Sequence, residues 1–236
     1  MRIAIGTPHL TTTSSHEQFN DSLISLIDRT KSEGHSVSRI NTYRDNITFA
    51  RNKIASKALK EGFDYLFFLD DDMVFESDLL VNLLKLKADI VGGLCFLRRE
   101  PHEPSMFNLA KDSRTYNPIV MWSEGDLIKC DAVGMACTLI SKEVLKAVAD
   151  GSENHNNIYG MFDNQYFQGE DMRFCRKAKD LGYTILCDTR ELVGHIVEKI
   201  ISYGDFSSYV ENQNQSMLIR TENKKYEKCV RDQKSC

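Results

Sequence analysis

The sequence predicts an α/β fold with a mostly parallel central sheet flanked by helices. Three observations lead there. Residues 1–96 alternate strand and helix, ending on a strand, which is the pattern of a parallel sheet covered by helices. Within them, Tyr65-Leu66-Phe67-Phe68-Leu69 is an unbroken apolar run of the kind buried on both sheet faces. After Phe96 the rhythm changes to shorter strand candidates and more turns.

The elements follow in order. Residues 3–6 read as a first strand, ended by Thr7 and Pro8. Residues 17–31 place Phe19, Leu23, Ile24, Leu26 and Ile27 on one side of a helix, which Gly34 stops. Residues 35–43 form a second strand, and 46–60 a second helix stopped by Gly62. The apolar strand 64–69 runs straight into Asp70, Asp71 and Asp72. A third helix covers 77–87, N-capped by Ser77 or Asp78, and a strand follows at 89–96. Beyond it lie strand candidates at 98–104, 118–122 and 127–133, then 136–140 leading into a helix at 141–148. Residues 150–157 are a polar, glycine-containing loop; with the stretch up to 168 they read as a mobile lid over the site. A helix at 170–181, a strand at 183–187 and a segment closing on Gly194-His195 complete one domain over 1–196. The tail, 197–236, is polar and reads as helical or partly disordered.

Composition narrows the function classes. Hydrophobic residues make up 42% and charged residues 27% of the 236, the balance of a globular protein. The net charge of −4 lacks the strongly basic footprint of a nucleic-acid binder, although it leaves room for a local basic groove. The seven cysteines contain no CxxC pair, sit in several cases inside apolar runs, and read as reduced core thiols of a cytoplasmic protein. No stretch approaches the roughly 20 apolar residues of a membrane span, so no membrane partner is expected. There is no P-loop and no GxGxxG.

Four features carry chemistry. Three consecutive carboxylates at the end of a buried strand repel each other, and burying them is costly unless a cation or strong donors compensate. At the carboxyl end of a parallel strand Asp70, Asp71 and Asp72 are placed for a divalent ion that takes oxygen ligands, Mg²⁺ or Mn²⁺. Alternation puts Asp70 and Asp72 on one side and Asp71 on the other. The plain alternative is a solvated acidic turn capping the next helix. Glu170 and Asp171 open a helix, where the dipole favours carboxylates. Asp171 also lies on that helix's apolar face, ahead of Phe174, Cys175 and Ala178, which suits a general base. Arg51 shares the inward face of its helix with Ile47, Ala50, Ile54 and Ala58. It either holds a base or phosphate or makes a buried ion pair with Asp70 or Asp45. His195 is a lone histidine after the last strand, structural unless a metal site stands beside it, in which case imidazole suits Mn²⁺.

In this order the motifs resemble the GT-A fold glycosyltransferases, closest to the large family-2-like group. The resemblance runs over about residues 3–196 and rests on Arg51-Asn52, on the strand ending in Asp70-Asp71-Asp72-Met73, on Asp89-Ile90-Val91-Gly92-Gly93, on Val133-Gly134-Met135-Ala136, on the helix opening Gly169-Glu170-Asp171, and on Gly194-His195. It implies a Rossmann-like, mostly parallel sheet with a smaller antiparallel sheet on the acceptor side, residues 1–96 being the nucleotide-binding half and 97–196 the acceptor half. It implies a nucleotide-diphospho-sugar donor, a UDP-sugar, contacted by Thr7, Pro8, Arg51, Asp70 and Asp71. Gly134 and Met135 line the donor-sugar and acceptor pocket. Asp72 and His195 hold the Mn²⁺ or Mg²⁺ cofactor, and Asp171, with Glu170 beside it, serves as the base of an inverting transfer. The acceptor stays open among glycan, protein, small molecule and modified DNA, including a hydroxymethylated DNA base. Two other classes remain beside this one: a nucleotidyltransferase making nucleotide sugars, which uses a glycine-rich basic loop that Thr7-Pro8-His9-Leu10 lacks, and a non-catalytic nucleotide-sugar or cation-binding module.

Overall fold

The computed structural model describes residues 1–10, 16–111, 114–164, 168–197 and 207. In chain order these form β1 (Arg2–His9), α1 (Glu17–Ser32), β2 (Ser36–Tyr43), α2 (Ile47–Glu61), β3 (Tyr65–Leu69), β4 (Met73–Val74), α3 (Leu79–Lys85) and β5 (Ile90–Cys95). There follow β6 (Met106–Leu109), β7 (Tyr116–Pro118), β8 (Leu127–Cys130), β9 (Ala132–Val133), β10 (Cys137–Ser141), α4 (Lys142–Asp150), β11 (Asn154–His155), β12 (Ile158–Tyr159), α5 (Glu170–Asp180) and β13 (Ile185–His195). Met1–Val197 make one compact unit and Glu198–Cys236 a second. Apart from Val197 and Ser207, the tail expected at 197–236 lies outside the described residues.

The central sheet runs β2-β1-β3-β10-β5-β13-β4, with β8 also paired to β13. Strands β2, β1 and β3 are mutually parallel, as are β5 and β13. Strand β10 lies antiparallel to both β3 and β5, so those two point the same way. The result is the mostly parallel α/β sheet expected, flanked by helices and accompanied by a small antiparallel sheet, β7-β6-β9. Alternation sends successive side chains to opposite faces. From β3, Leu66 and Phe68 join Ile54 of α2, Val144 of α4 and Phe174 of α5, while Phe67 and Leu69 join Phe19 of α1 and Leu80 of α3. Helix α2 packs so tightly on β1 that a Cβ at Gly6 would run into Ile54. Its ends are conventional: Asn46 accepts a hydrogen bond from the Phe49 N–H at 2.9 Å, and Gly62 closes it with φ 71°.

Several elements differ from the sequence reading. Thr7 and Pro8 do not end β1, which continues to His9 in register with β2. The His9 carbonyl accepts from Arg44 N–H on the β2 side, so Pro8 faces β3, whose pairing with β1 stops at Gly6. Its missing N–H therefore costs no sheet hydrogen bond. Asp78 is the N-cap residue of α3, as one of the two expected, but its side chain makes no capping hydrogen bond and takes one from Arg29 instead. The stretch 98–104 is a turn closed by one Phe96–Pro104 bridge, not a strand. The candidate at 118–122 is displaced to β7, and 127–133 divides into β8 on the large sheet and β9 on the small one. Within the stretch taken for a lid, Met161 and Phe162 are buried and Asp163 pairs with Arg173 and Lys177 of α5, while residues 165–167 lie outside the described residues. The five described cysteines are free and buried; Cys229 and Cys236 lie outside the described residues.

Candidate active site

The strand directions build the site. Because β1, β3, β5 and β13 are codirectional, their carboxyl ends share one edge of the sheet. His9 closes β1, Asp70 to Asp72 follow β3, Phe96 and Arg98 follow β5, and His195 closes β13. The antiparallel β10 begins at that edge, so Gly134 to Ala136 are delivered beside the aspartates, and Asp70 N–H donates to the Ala136 carbonyl at 3.0 Å. In open α/β sheets this edge is where ligands bind.

Three adjacent carboxylates meet different basic partners. Asp70 faces Arg51 of α2, whose Nη2 lies 3.4 Å from both carboxylate oxygens, while Arg51 Nη1 binds Glu170 of α5. Asp71 points to the opposite side and accepts from His9 Nδ1 at 2.7 Å; the His9 ring stacks on Tyr43. Asp72 Oδ2 lies 3.2 Å from His195 Nε2 and 3.1 Å from Arg98 Nη1. Burial pushes the Asp70 pKa up, more than Arg51 pulls it down. Burial acts on Asp72 in the same sense, but the His195 hydrogen bond and the charges of His195 and Arg98 outweigh it and bring Asp72 below its ordinary range. His195 moves the other way, raised mainly by its hydrogen bond to Asp72.

Helix α5 brings the fourth and fifth carboxylates. Glu170 is buried and committed to Arg51. Asp171 Oδ1 accepts from the Met172 N–H at 2.8 Å, and burial raises its pKa against the opposing charge of Arg51. Its Oδ2 lies beside Gly134: a Cβ there would sit 3.8 Å from that oxygen and collide with Ser105 Oγ. Glycine thus lets Ser105 pack against the backbone at this point beside Asp171. The α5 terminus is held in place from α2. Asn52 Nδ2 donates to the Phe162 carbonyl and Asn52 Oδ1 accepts from the Phe162 N–H, both at 2.8 Å, and the Phe162 ring stacks on Phe174 of α5 at 4.5 Å.

No family model matches the sequence, and no curated protein matches it. Among solved structures, the fold is similar to that of A197 from STIV. That likeness covers 84% of this chain and 87% of A197, at 19% identity and a TM-score of 0.51. GalNAc-T7, solved with UDP, GalNAc and Mn²⁺, matches at 13% identity and a TM-score of 0.49, over 83% of this chain and 44% of that one. The catalytic domain of Drosophila β1,4-galactosyltransferase 7, solved with xylobiose, matches at 14% identity and 0.49, over 84% and 71%.

The residues singled out from sequence distribute unevenly. Asp70, Arg51, Glu170 and Asp171 lie within one buried charged cluster, and Asp72 and His195 touch although 123 positions apart. Of the alternatives for Arg51, the ion pair with Asp70 is present; Asp45 pairs with Lys53 instead. Thr7 is buried with an unpartnered hydroxyl, and Pro8 is buried next to it. The Met135 side chain is 1% exposed and belongs to the apolar core, so only its backbone borders the edge. Sequence reasoning passed over His9 and the part Arg98 plays at Asp72. His9 had a signal: a strand-end histidine three residues after a glycine that packs under a helix. Arg98 had none.

Among the described residues no group of three or more His, Cys, Asp and Glu is arranged around a metal position. Two donors do converge, an oxygen of Asp72 and Nε2 of His195. His195 Nδ1 is 3.0 Å from the Phe96 carbonyl, to which it donates, so loss of the Nε2 proton leaves a lone pair beside the carboxylate. One carboxylate and one imidazole are a donor set that fits Mn²⁺ better than Mg²⁺, which prefers oxygen ligands alone.

Proposed function

We propose that this chain is a nucleotide-sugar-dependent glycosyltransferase of the GT-A type, transferring from a UDP-sugar with inversion. The observation that carries the reading is the meeting of Asp72 and His195 at the sheet's carboxyl edge, with Asp171 beside Gly134 in the same region. Asp72 and His195 would hold a divalent cation, which when bound would supply positive charge to the leaving diphosphate. Arg98, beside Asp72, adds a guanidinium for a phosphate oxygen. Arg51, tied to Asp70 and Glu170, fixes the α2–α5 junction and so the place of Asp171. Asp171, raised by burial, takes the proton of the acceptor hydroxyl. The acceptor oxygen bonds to the anomeric carbon as the bond to phosphate breaks, and the electron pair leaves on the nucleoside diphosphate.

The test is nucleoside-diphosphate release from a panel of UDP-, GDP-, CDP- and dTDP-sugars with Mn²⁺, on wild type and on Asp171→Asn. The expected result is turnover of a UDP-sugar that falls about 10²-fold or more in the variant, the usual size of a general-base effect. Turnover of none of the panel, or full activity in Asp171→Asn, would overturn the reading.

A further inference from the structure

Away from the carboxylates, the outer side of α2 carries two hollows that share a wall. One, of about 710 Å³, lies between the free edge of β2, α2 and the tip of the β11–β12 hairpin. The other, of about 400 Å³, lies between α2, α4 and the same hairpin. Ser56, Lys60 and Asn157 line both, so the two form one groove. Asn156 and Asn157, both at positive φ, make the tight hairpin tip above the junction.

The groove is basic in an acidic chain. Lys53, Lys57 and Lys60 recur along one side of α2 over about 10 Å, and Lys142 and Lys146 of α4 continue the row. The carboxylates lining it are Glu61 and Asp150. Lys53 is engaged by Asp45, and Lys57 reaches Glu61 only at 3.8 Å. Lys60, Lys142 and Lys146 make no side-chain ion pair or hydrogen bond among the described residues. A second observation is independent of charge. Thr42, only 7% exposed, lines the larger hollow from the α2 face of β2, and its Oγ1 is buried with no hydrogen-bond partner among the described residues. Buried polar groups are rarely left so, and a hydroxyl donor suits a phosphate oxygen. Tyr159 lines the smaller hollow.

A single phosphate would call for donors converging on a point. Here the cations are strung in a row beside Tyr159, an arrangement that follows a repeating anion and offers a ring to a base. We propose that this groove binds a phosphodiester strand, single-stranded nucleic acid, with the α2 and α4 lysines on its phosphates and Tyr159 against a base. The proposal concerns binding alone and is independent of the transferase reading.

The test is fluorescence anisotropy of a labelled oligothymidylate of about 12 nucleotides, long enough for one groove, over a salt series. Combined Lys57→Glu, Lys60→Glu and Lys146→Glu should weaken binding about tenfold or more and flatten the slope of log affinity against log salt by about 2. The same three positions changed to arginine should keep binding, and Lys31→Glu, on α1 across the sheet, should leave it unchanged. Absence of binding at low salt, equal loss in Lys31→Glu, or tighter binding of a heparin fragment of equal charge would overturn it.

Discussion

Asp70, Asp71 and Asp72 are consecutive, yet each answers to a different partner, because the strand's alternation and its end turn three neighbours in three directions. Arg51 is the most exacting of the residues around them. It is 4% exposed and balances two carboxylates from two elements. Arg51→Met should lower stability by about 3–5 kcal/mol in urea titrations, the size of an uncompensated buried charge. The sign with pH follows from the Asp70 shift. A carboxyl whose folded pKa lies above its unfolded value binds more protons when folded, so stability falls as pH rises through that range. Removing Arg51 enlarges this effect, and the deficit should be largest near neutrality and shrink toward pH of about 4. A deficit independent of pH would contradict the assignment. Asp171 is also raised by burial, and as a base it must be ionised. The rising limb of kcat/KM against pH should therefore lie above the ordinary carboxylate range of about 4 and vanish in Asp171→Asn.

At the scale of elements, α5 reaches the edge because the segment before it is tied down. Asn52 satisfies both backbone groups of Phe162, and Asp163 takes Arg173 and Lys177. Asn52→Ala leaves a buried N–H and carbonyl without partners and should cost about 2–4 kcal/mol, with faster amide exchange at Phe162. Unchanged exchange there would show that the tether is not what holds the segment. This tether is also where sequence reasoning fell short. A polar, glycine-containing stretch reads as a loose lid, since nothing local reveals that an asparagine 110 positions earlier captures its backbone. Likewise the alternation of strands and helices through Phe96 was readable from periodicity, whereas the insertion of β10 between β3 and β5 was not, being a long-range pairing with no local mark. Arg51 and Asp171 could be singled out because a charge on an apolar helix face is visible in sequence. That Glu170, in the adjacent position, is the Arg51 partner depends on how α2 and α5 meet on one face of the sheet.

At the scale of the whole described unit, two apolar layers clamp one sheet, α1 and α3 on one side, α2, α4 and α5 on the other. Such a frame leaves the strand ends as the place where charged groups from distant parts of the chain gather without being sealed from solvent. The central claim is that the Asp72–His195 pair holds a cation that in turn holds a nucleoside diphosphate. Its most direct measurement is calorimetric titration of the protein with UDP, with and without Mn²⁺, on wild type and on Asp72→Ala and His195→Ala. The account predicts binding that requires Mn²⁺ in the wild type and is weakened about tenfold or more in each variant, the usual cost of losing a metal-site group. Binding of UDP that ignores both Mn²⁺ and the two substitutions, or no binding at all, would contradict it.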